Sequence, residues 1–169
     1  MKISRENLSY LFYWVIIFIV AGSMIVYGLA KPLQFQRFDG ADNPNLSEGH
    51  KLMWTFYSYS LAYPIIIGVF EVLGGICLLM NRTRIFGCIL LTIILSNIII
   101  QNYVYDIIAL NSAIYYQVLI LIIMVFDYKK VKVIISNLFK SEKNNRNIVL
   151  IILAFLIAIL FKFFETKIL

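Results

Sequence analysis

Long apolar stretches alternate with short polar segments along the chain. Five stretches approach the roughly 20 residues that a helix needs to cross a ~30 Å hydrocarbon layer. They run approximately over residues 11–29, 61–80, 85–105, 113–126 and 148–164. The fourth stretch is short for a bilayer unless its helix begins several residues earlier or the membrane thins locally. The pattern predicts an all-α membrane protein with five transmembrane helices.

The polar segments predict how these helices are connected. The first helix should end near Pro32, because proline lacks a backbone N–H donor and biases the preceding residue away from the helical conformation. Residues 39–45 have the composition of a loop, and Ser47 is a suitable cap for a short interfacial helix that carries Trp54. Only residues 81–84 separate the second and third spans, so these helices should form a tight antiparallel hairpin.

The composition supports a membrane protein rather than a soluble domain. Of the 169 residues, 62% are hydrophobic and 14% are charged, and the mean hydropathy is +0.87. Soluble domains are about half apolar and a quarter charged. The net charge of +6 does not indicate a nucleic-acid partner, because six of the fifteen basic residues lie in one short segment, residues 129–146. The partner that the composition implies is the lipid bilayer.

The basic residues also predict an orientation. Lys and Arg are enriched on the cytoplasmic side of membrane proteins. With a cytoplasmic N-terminus and five spans, ten of the fifteen basic residues lie on the cytoplasmic side and five on the other. We therefore expect the N-terminus inside and the C-terminus outside.

Glu71 lies near the middle of the second predicted span, where an ionisable group is costly and often functional. At 100° per residue it shares a helix face with Pro64, Gly68, Gly75 and Leu78. Small residues on that face allow another helix to approach closely, so Glu71 should point into the helix bundle. No basic residue shares its predicted depth, which favours the neutral acid.

Amides on the third predicted span suggest a polar column through the membrane. Asn97 and Gln101 are one turn apart on one face, and Asn102 and Asp106 repeat that spacing on an adjoining face. Asn97 should lie near the depth of Glu71, and Asp106 near the outer surface. Hydrogen bonding that merely joins the helices is the alternative interpretation of the amides.

The first span contributes to the same predicted column. Tyr27 and Lys31 are one turn apart, which places Lys31 at the level of Asp106, where the two could also form a simple interfacial ion pair. The helix around Trp54 would cover the column on the outside. The candidate ligand-binding residues are Tyr27, Lys31, Trp54, Glu71, Asn97, Gln101, Asn102 and Asp106.

The sequence contains no arrangement of residues typical of an active site or a metal site. Cys77 and Cys88 lie in apolar stretches without a CxxC pair, which argues against a thiol-disulfide oxidoreductase and favours structural thiols. His50 is the one histidine and has no second ligand near it in the sequence. We predict no catalytic residue, no metal and no covalently bound cofactor.

Several ordered motifs resemble the DoxX-like family of bacterial membrane proteins. They are YGLAK at residues 27–31, QF at 34–35, WTFYSYS at 54–60, GVFEVLGG at 68–75, RTR at 82–84 and NIIIQNYVYD at 97–106. The resemblance covers approximately residues 11–132. It departs from the family at residues 107–110, IIAL, where a polar or proline-containing connection is expected.

The resemblance implies a four-helix transmembrane bundle over residues 1–132, in the inner membrane of a bacterium. A basic cytoplasmic linker, 133–147, and a fifth transmembrane helix with a short tail, 148–169, would follow. DoxX-like proteins are linked to membrane redox systems, including quinone-coupled complexes. The resemblance implies no particular reaction. Together with the predicted polar column, it favours a non-catalytic or accessory subunit that binds a quinone or a lipid in that column and works with a redox partner. A proton-coupled transporter or exporter component that uses Glu71 and a structural assembly factor are the alternatives.

Overall fold

The computed structural model describes residues 4–36, 43–140 and 147–168, and side chains as far as residue 164. The chain divides into two compact units, residues 1–134 and 135–169. The described residues form seven α-helices and no strand: α1 (Arg5–Phe35), α2 (Glu48–Tyr59), α3 (Ala62–Leu79), α4 (Arg84–Val104), α5 (Leu110–Phe126), α6 (Tyr128–Leu138) and α7 (Ile148–Ile168). The prediction of an all-α protein is confirmed.

By length and composition, α1, α3 and α4 can each cross a membrane, and two further apolar helices are shorter. The shorter ones are α5, which begins three residues before the predicted stretch, and residues 148–164 of α7. These helices identify a multi-pass membrane protein. In the first unit, α1 contacts α3 and α5, and α4 contacts the same two helices. The four apolar helices therefore pack around one core that includes Ile17, Leu78, Leu91 and Ile120.

The predicted end of the first helix at Pro32 is wrong, because α1 continues to Phe35. Proline at this position leaves the carbonyl of Gly28 without its usual helical donor. That carbonyl lies against Gly68 of α3, where a Cβ atom would collide with it. The close approach of two glycines packs α1 tightly on α3. This packing accounts for the continuation of the helix beyond the proline.

The predicted buried face of α3 is confirmed. Pro64, Gly68, Glu71, Gly75 and Leu78 are all buried on one face. The hairpin is as tight as expected, since α3 ends at residue 79 and α4 begins at residue 84. Its two helices pack through glycines, because Cβ atoms added at residues 74 and 87 would press against the facing helix.

The short helix α2 is anchored at its start. Ser47 is the N-cap, as predicted, and its Oγ accepts a hydrogen bond from the backbone N–H of His50 at 3.1 Å. The same hydroxyl donates to the carbonyls of Tyr105 and Asp106, at 3.4 and 3.3 Å. A Cβ atom at Gly49 would collide with the backbone of Tyr105. The start of α2 is therefore held against the end of α4.

Helix α6 extends into the predicted basic linker, residues 133–147, as far as Leu138. Lys129, Lys130 and Lys132 lie in the same helix just before the linker, among apolar residues that recur at helical spacing, such as Val131 and Ile134. Residues 141–146, which belong to the same predicted linker, lie outside the described part of the chain, as do residues 39–42 of the predicted loop. In the second unit, the described side chains of α7 are exposed, as expected for a helix whose surroundings are lipid.

Candidate functional site

A cavity of about 210 Å³ lies inside the first unit, next to α2. Helices α1 to α5 all contribute to its wall, and most of the wall is apolar. Six of the eight predicted residues line it: Tyr27, Lys31, Trp54, Glu71, Gln101 and Asn102. The bundle therefore brings most of the predicted polar residues to one place.

Lys31 and Glu71 form a buried ion pair in this cavity. The Lys31 Nζ atom lies 3.2 Å from Glu71 Oε1, and the side chains are 13% and 3% exposed. Two predictions are thereby wrong: a cation does share the depth of Glu71, and the partner of Lys31 is Glu71 rather than Asp106. The reason is the continued helix α1, which carries Lys31 across Gly68 so that its aliphatic stem lies against that glycine.

The second carboxylate oxygen of Glu71 is the most unusual atom of the cavity. Oε2 is buried and has no hydrogen-bond partner among the described residues. A buried acceptor without a donor costs about 1–3 kcal/mol. The atom therefore marks a position at which a hydrogen-bond donor of a bound molecule would be stabilised.

The aromatic residues of α2 cover the cavity, as predicted for the helix around Trp54. Tyr57 donates a hydrogen bond to Gln101 Oε1 at 2.7 Å, and its ring stacks on Phe35 with 4.7 Å between centroids. Burial raises the pKa of Tyr57, which keeps the hydroxyl protonated for this bond. The Trp54 ring stacks on the His50 ring, with 4.0 Å between the centroids. Burial lowers the pKa of His50, which favours a neutral imidazole.

Helix α5 contributes a polar stripe that the sequence analysis missed. The hydroxyl oxygens of Tyr116 and Tyr27 lie 3.3 Å apart, and Ser112 lines the cavity one turn before Tyr116. Ser112 and Tyr116, four positions apart and therefore on one face of the helix, were the available signal. Gln34 and Tyr57 also line the cavity and were not among the predicted residues.

Asn97 and Asp106 lie outside the cavity. Asn97 is exposed, because the inward face of α4 is set by Leu91, Leu95 and Asn102, from which Asn97 points away. Asp106 has a φ angle of 53°, a left-handed conformation that aspartate tolerates better than most residues. It lies two residues after the end of α4, and its exposed side chain does not reach Lys31.

A second polar cluster, also missed, surrounds Arg84 at the opposite end of the bundle. Arg84 is 3% exposed and donates to the Leu78 carbonyl and to Tyr13 Oη, both at 2.8 Å. Tyr13 in turn donates to Asp127 Oδ2 at 2.5 Å, and Arg84 Nη1 lies 3.9 Å from the same oxygen. The cluster joins α1, the α3–α4 hairpin and the end of α5. Among the described residues no group of His, Cys, Asp and Glu could hold a metal ion.

The chain is similar to the uncharacterized protein YwoB of Bacillus subtilis (strain 168). The two are 33% identical over 113 residues, which cover 66% of this chain and 73% of YwoB. The chain belongs to the YwoB family. YwoB is itself described as uncharacterized. The similarity therefore assigns neither a ligand nor a reaction to this chain. No protein-family model and no solved structure matches the chain.

Proposed function

We propose that this protein is a DoxX-like protein of the bacterial cytoplasmic membrane that binds a lipophilic small molecule, a quinone or a lipid, in the cavity beside α2. It would act as a non-catalytic accessory subunit of a membrane redox system. The observation that carries the proposal is the buried Lys31–Glu71 pair in a largely apolar cavity, since one carboxylate oxygen of Glu71 has no hydrogen-bond partner among the described residues. The redox association is supported by the DoxX-like motifs.

The size and chemistry of the cavity favour a ring with polar substituents. An apolar cavity of about 150 Å³ in another protein holds benzene, so about 210 Å³ accommodates one substituted six-membered ring. The Lys31 ammonium can donate to a carbonyl oxygen, and Glu71 Oε2 can accept from a hydroxyl group. A quinone head group offers carbonyl oxygens when oxidised and hydroxyl groups when reduced. The rings of Trp54 and Tyr57 provide aromatic surface for it.

The proposal includes five transmembrane helices with the N-terminus in the cytoplasm and the C-terminus outside. The charge distribution supports this orientation, because ten of the fifteen basic residues then lie inside. In that orientation the cavity lies in the outer half of the membrane, and α2 lies at the outer interface. A lipophilic ligand could therefore reach the cavity from the outer leaflet.

The test compares the lipophilic molecules that co-purify with wild-type protein and with variants, quantified by mass spectrometry. Asn102→Ala changes the cavity wall, and Asn97→Ala is the matched control, because it makes the same change on the same helix outside the cavity. We expect Asn102→Ala to lower the amount of bound molecule and Asn97→Ala to leave it unchanged. Glu71→Gln should lower it on the order of tenfold, since hydrogen bonds to charged groups are worth ~1.5–3 kcal/mol.

Thermal melting of each variant separates lost binding from lost folding. Asn102→Ala leaves the ion pair intact, so its result stands even if Glu71→Gln melts early. Wild-type protein without a near-stoichiometric lipophilic molecule would contradict the proposal. Equal retention by the Asn102→Ala and Asn97→Ala variants would place any ligand elsewhere.

A further inference from the structure

A groove of about 520 Å³ lies in the first unit, at the end opposite to the cavity, where α4 and α6 begin. Three basic residues line it: Arg82 from the hairpin, and Lys129 and Lys130 from the first turn of α6. Lys130 contacts Asp127 at 3.2 Å and donates to Asn81 at 2.5 Å. Within residues 4–36, 43–140 and 147–164, no hydrogen bond or ion pair engages the side chain of Arg82 or Lys129. The groove thus has two cations without a counter-ion in the described chain.

The rest of the groove is apolar. Ile85 and Phe86 line it from α4, and Val133 and Ile134 line it from α6. Phe86 is 61% exposed although it lies near the start of a helix that packs in the bundle. A groove with basic groups and an apolar wall suits a molecule that is anionic at one end and apolar at the other.

The Arg84 cluster holds the two sides of the groove in place. Arg84 and Asp127 lie 3.9 Å apart, and both bond to Tyr13. These contacts join the start of α4 to the junction between α5 and α6. The basic side chains are therefore attached to backbone segments that are already fixed relative to each other, which lowers the entropy cost of binding.

The charge of the region is strongly positive even after its internal ion pairs are counted. Arg82, Arg84, Lys129 and Lys130 give four positive charges, and Asp127 gives one negative charge. The net charge of these five side chains is therefore +3. A zwitterionic molecule would leave most of that charge uncompensated, so a net anionic molecule is favoured.

We infer that this groove binds an anionic phospholipid, with its phosphate at Arg82 and Lys129 and an acyl chain along Phe86. The position fits, because Arg82 lies two residues before α4, which is long and apolar enough to cross the membrane. The groove therefore lies at the level at which lipid head groups meet water. Basic pockets between transmembrane helices on the cytoplasmic side are a recurring site for anionic head groups. This inference is independent of any ligand in the cavity.

The test uses the full chain in a neutral detergent, titrated with dioleoyl phosphatidylglycerol or dioleoyl phosphatidylcholine and followed by native mass spectrometry. We expect phosphatidylglycerol to bind at the lower concentration. The double variant Arg82→Gln/Lys129→Gln should weaken its binding tenfold or more, since each basic side chain near an anionic lipid contributes on the order of 1 kcal/mol. The matched control is Lys132→Gln/Lys140→Gln, which removes the same charge outside the groove.

A second comparison tests the apolar wall. Phe86→Ala should weaken lipid binding several-fold, whereas Phe70→Ala, at another exposed site on the bundle, should not. Equal weakening by the two double variants would show diffuse attraction and overturn the inference. Equal affinity for the two lipids would do the same. Full displacement by millimolar inorganic phosphate, with no effect of Phe86→Ala, would identify a phosphate site instead of a lipid site.

Discussion

Separating Lys31 from Glu71 should destabilise the protein much more than removing both charges. Loss of one partner from a buried ion pair costs about 3–5 kcal/mol, while replacing both with apolar groups is often close to neutral. Lys31 retains 13% exposure, so we expect the lower end, ~3 kcal/mol, for Glu71→Leu. For a chain of this size that corresponds to a decrease in Tm of roughly 6–12 °C. The double variant Lys31→Met/Glu71→Leu should recover most of it.

The assay is a double-mutant cycle on unfolding free energies, measured by denaturant titration in mixed micelles. The exposed pair Lys51–Glu48, at 3.0 Å with Glu48 86% exposed, provides the control cycle. An exposed pair is worth about 0–1 kcal/mol, so its coupling energy should be small. We expect at least about 2 kcal/mol of coupling between Lys31 and Glu71. A coupling no larger than that of the control pair would show that the buried pair does not form, and the argument for the cavity would fail with it.

Two further predictions concern packing and orientation. Gly68→Ala should destabilise the bundle by about 1–3 kcal/mol, because its Cβ would collide with the Gly28 carbonyl. Gly22→Ala should be neutral or stabilising, because no neighbouring atom of the described residues lies within 4 Å of the added Cβ. Equal melting temperatures of the two variants would refute the close approach. The orientation is tested by thiol labelling of intact cells, with single cysteines introduced into a variant that lacks Cys77 and Cys88. Asn45→Cys should react with a membrane-impermeant thiol reagent, and Asn137→Cys should be shielded. The reverse labelling would invert the proposed orientation.

Local rules predicted the parts of the fold that depend on one helix. The buried face of α3 followed from the spacing of its small residues around Glu71, and the Ser47 cap followed from the chemistry of that side chain. The rule for Pro32 failed because a contact between helices, Gly28 with Gly68, outweighs one missing hydrogen bond. The spacing of Asn97 identified a polar position but could not show which way the helix is rotated.

The two polar clusters could not be fully predicted, because their members come from distant parts of the chain. The sequence identified Arg84 only as part of the RTR motif, yet the side chain is buried against Tyr13, 71 residues away in the sequence. Tyr13 and Asp127 are separated by 114 residues. The pairing of Lys31 with Glu71 likewise depends on how α1 and α3 are placed against each other, which no periodicity within either helix determines.

The attachment of α2 sets an order of assembly during synthesis. The partners of Ser47 at the end of α4 follow it by 58 and 59 residues, and Gln101 follows Tyr57 by 44 residues. Helix α2 therefore leaves the ribosome well before the groups that anchor it, and α3 and α4 must first enter the membrane. Before then, α2 can contact α1, because the rings of Trp54 and Tyr57 both pack on Phe35. The cavity is thus completed late, and in a chain that stops before α4 the aromatic side chains of α2 are exposed to water or to chaperones instead.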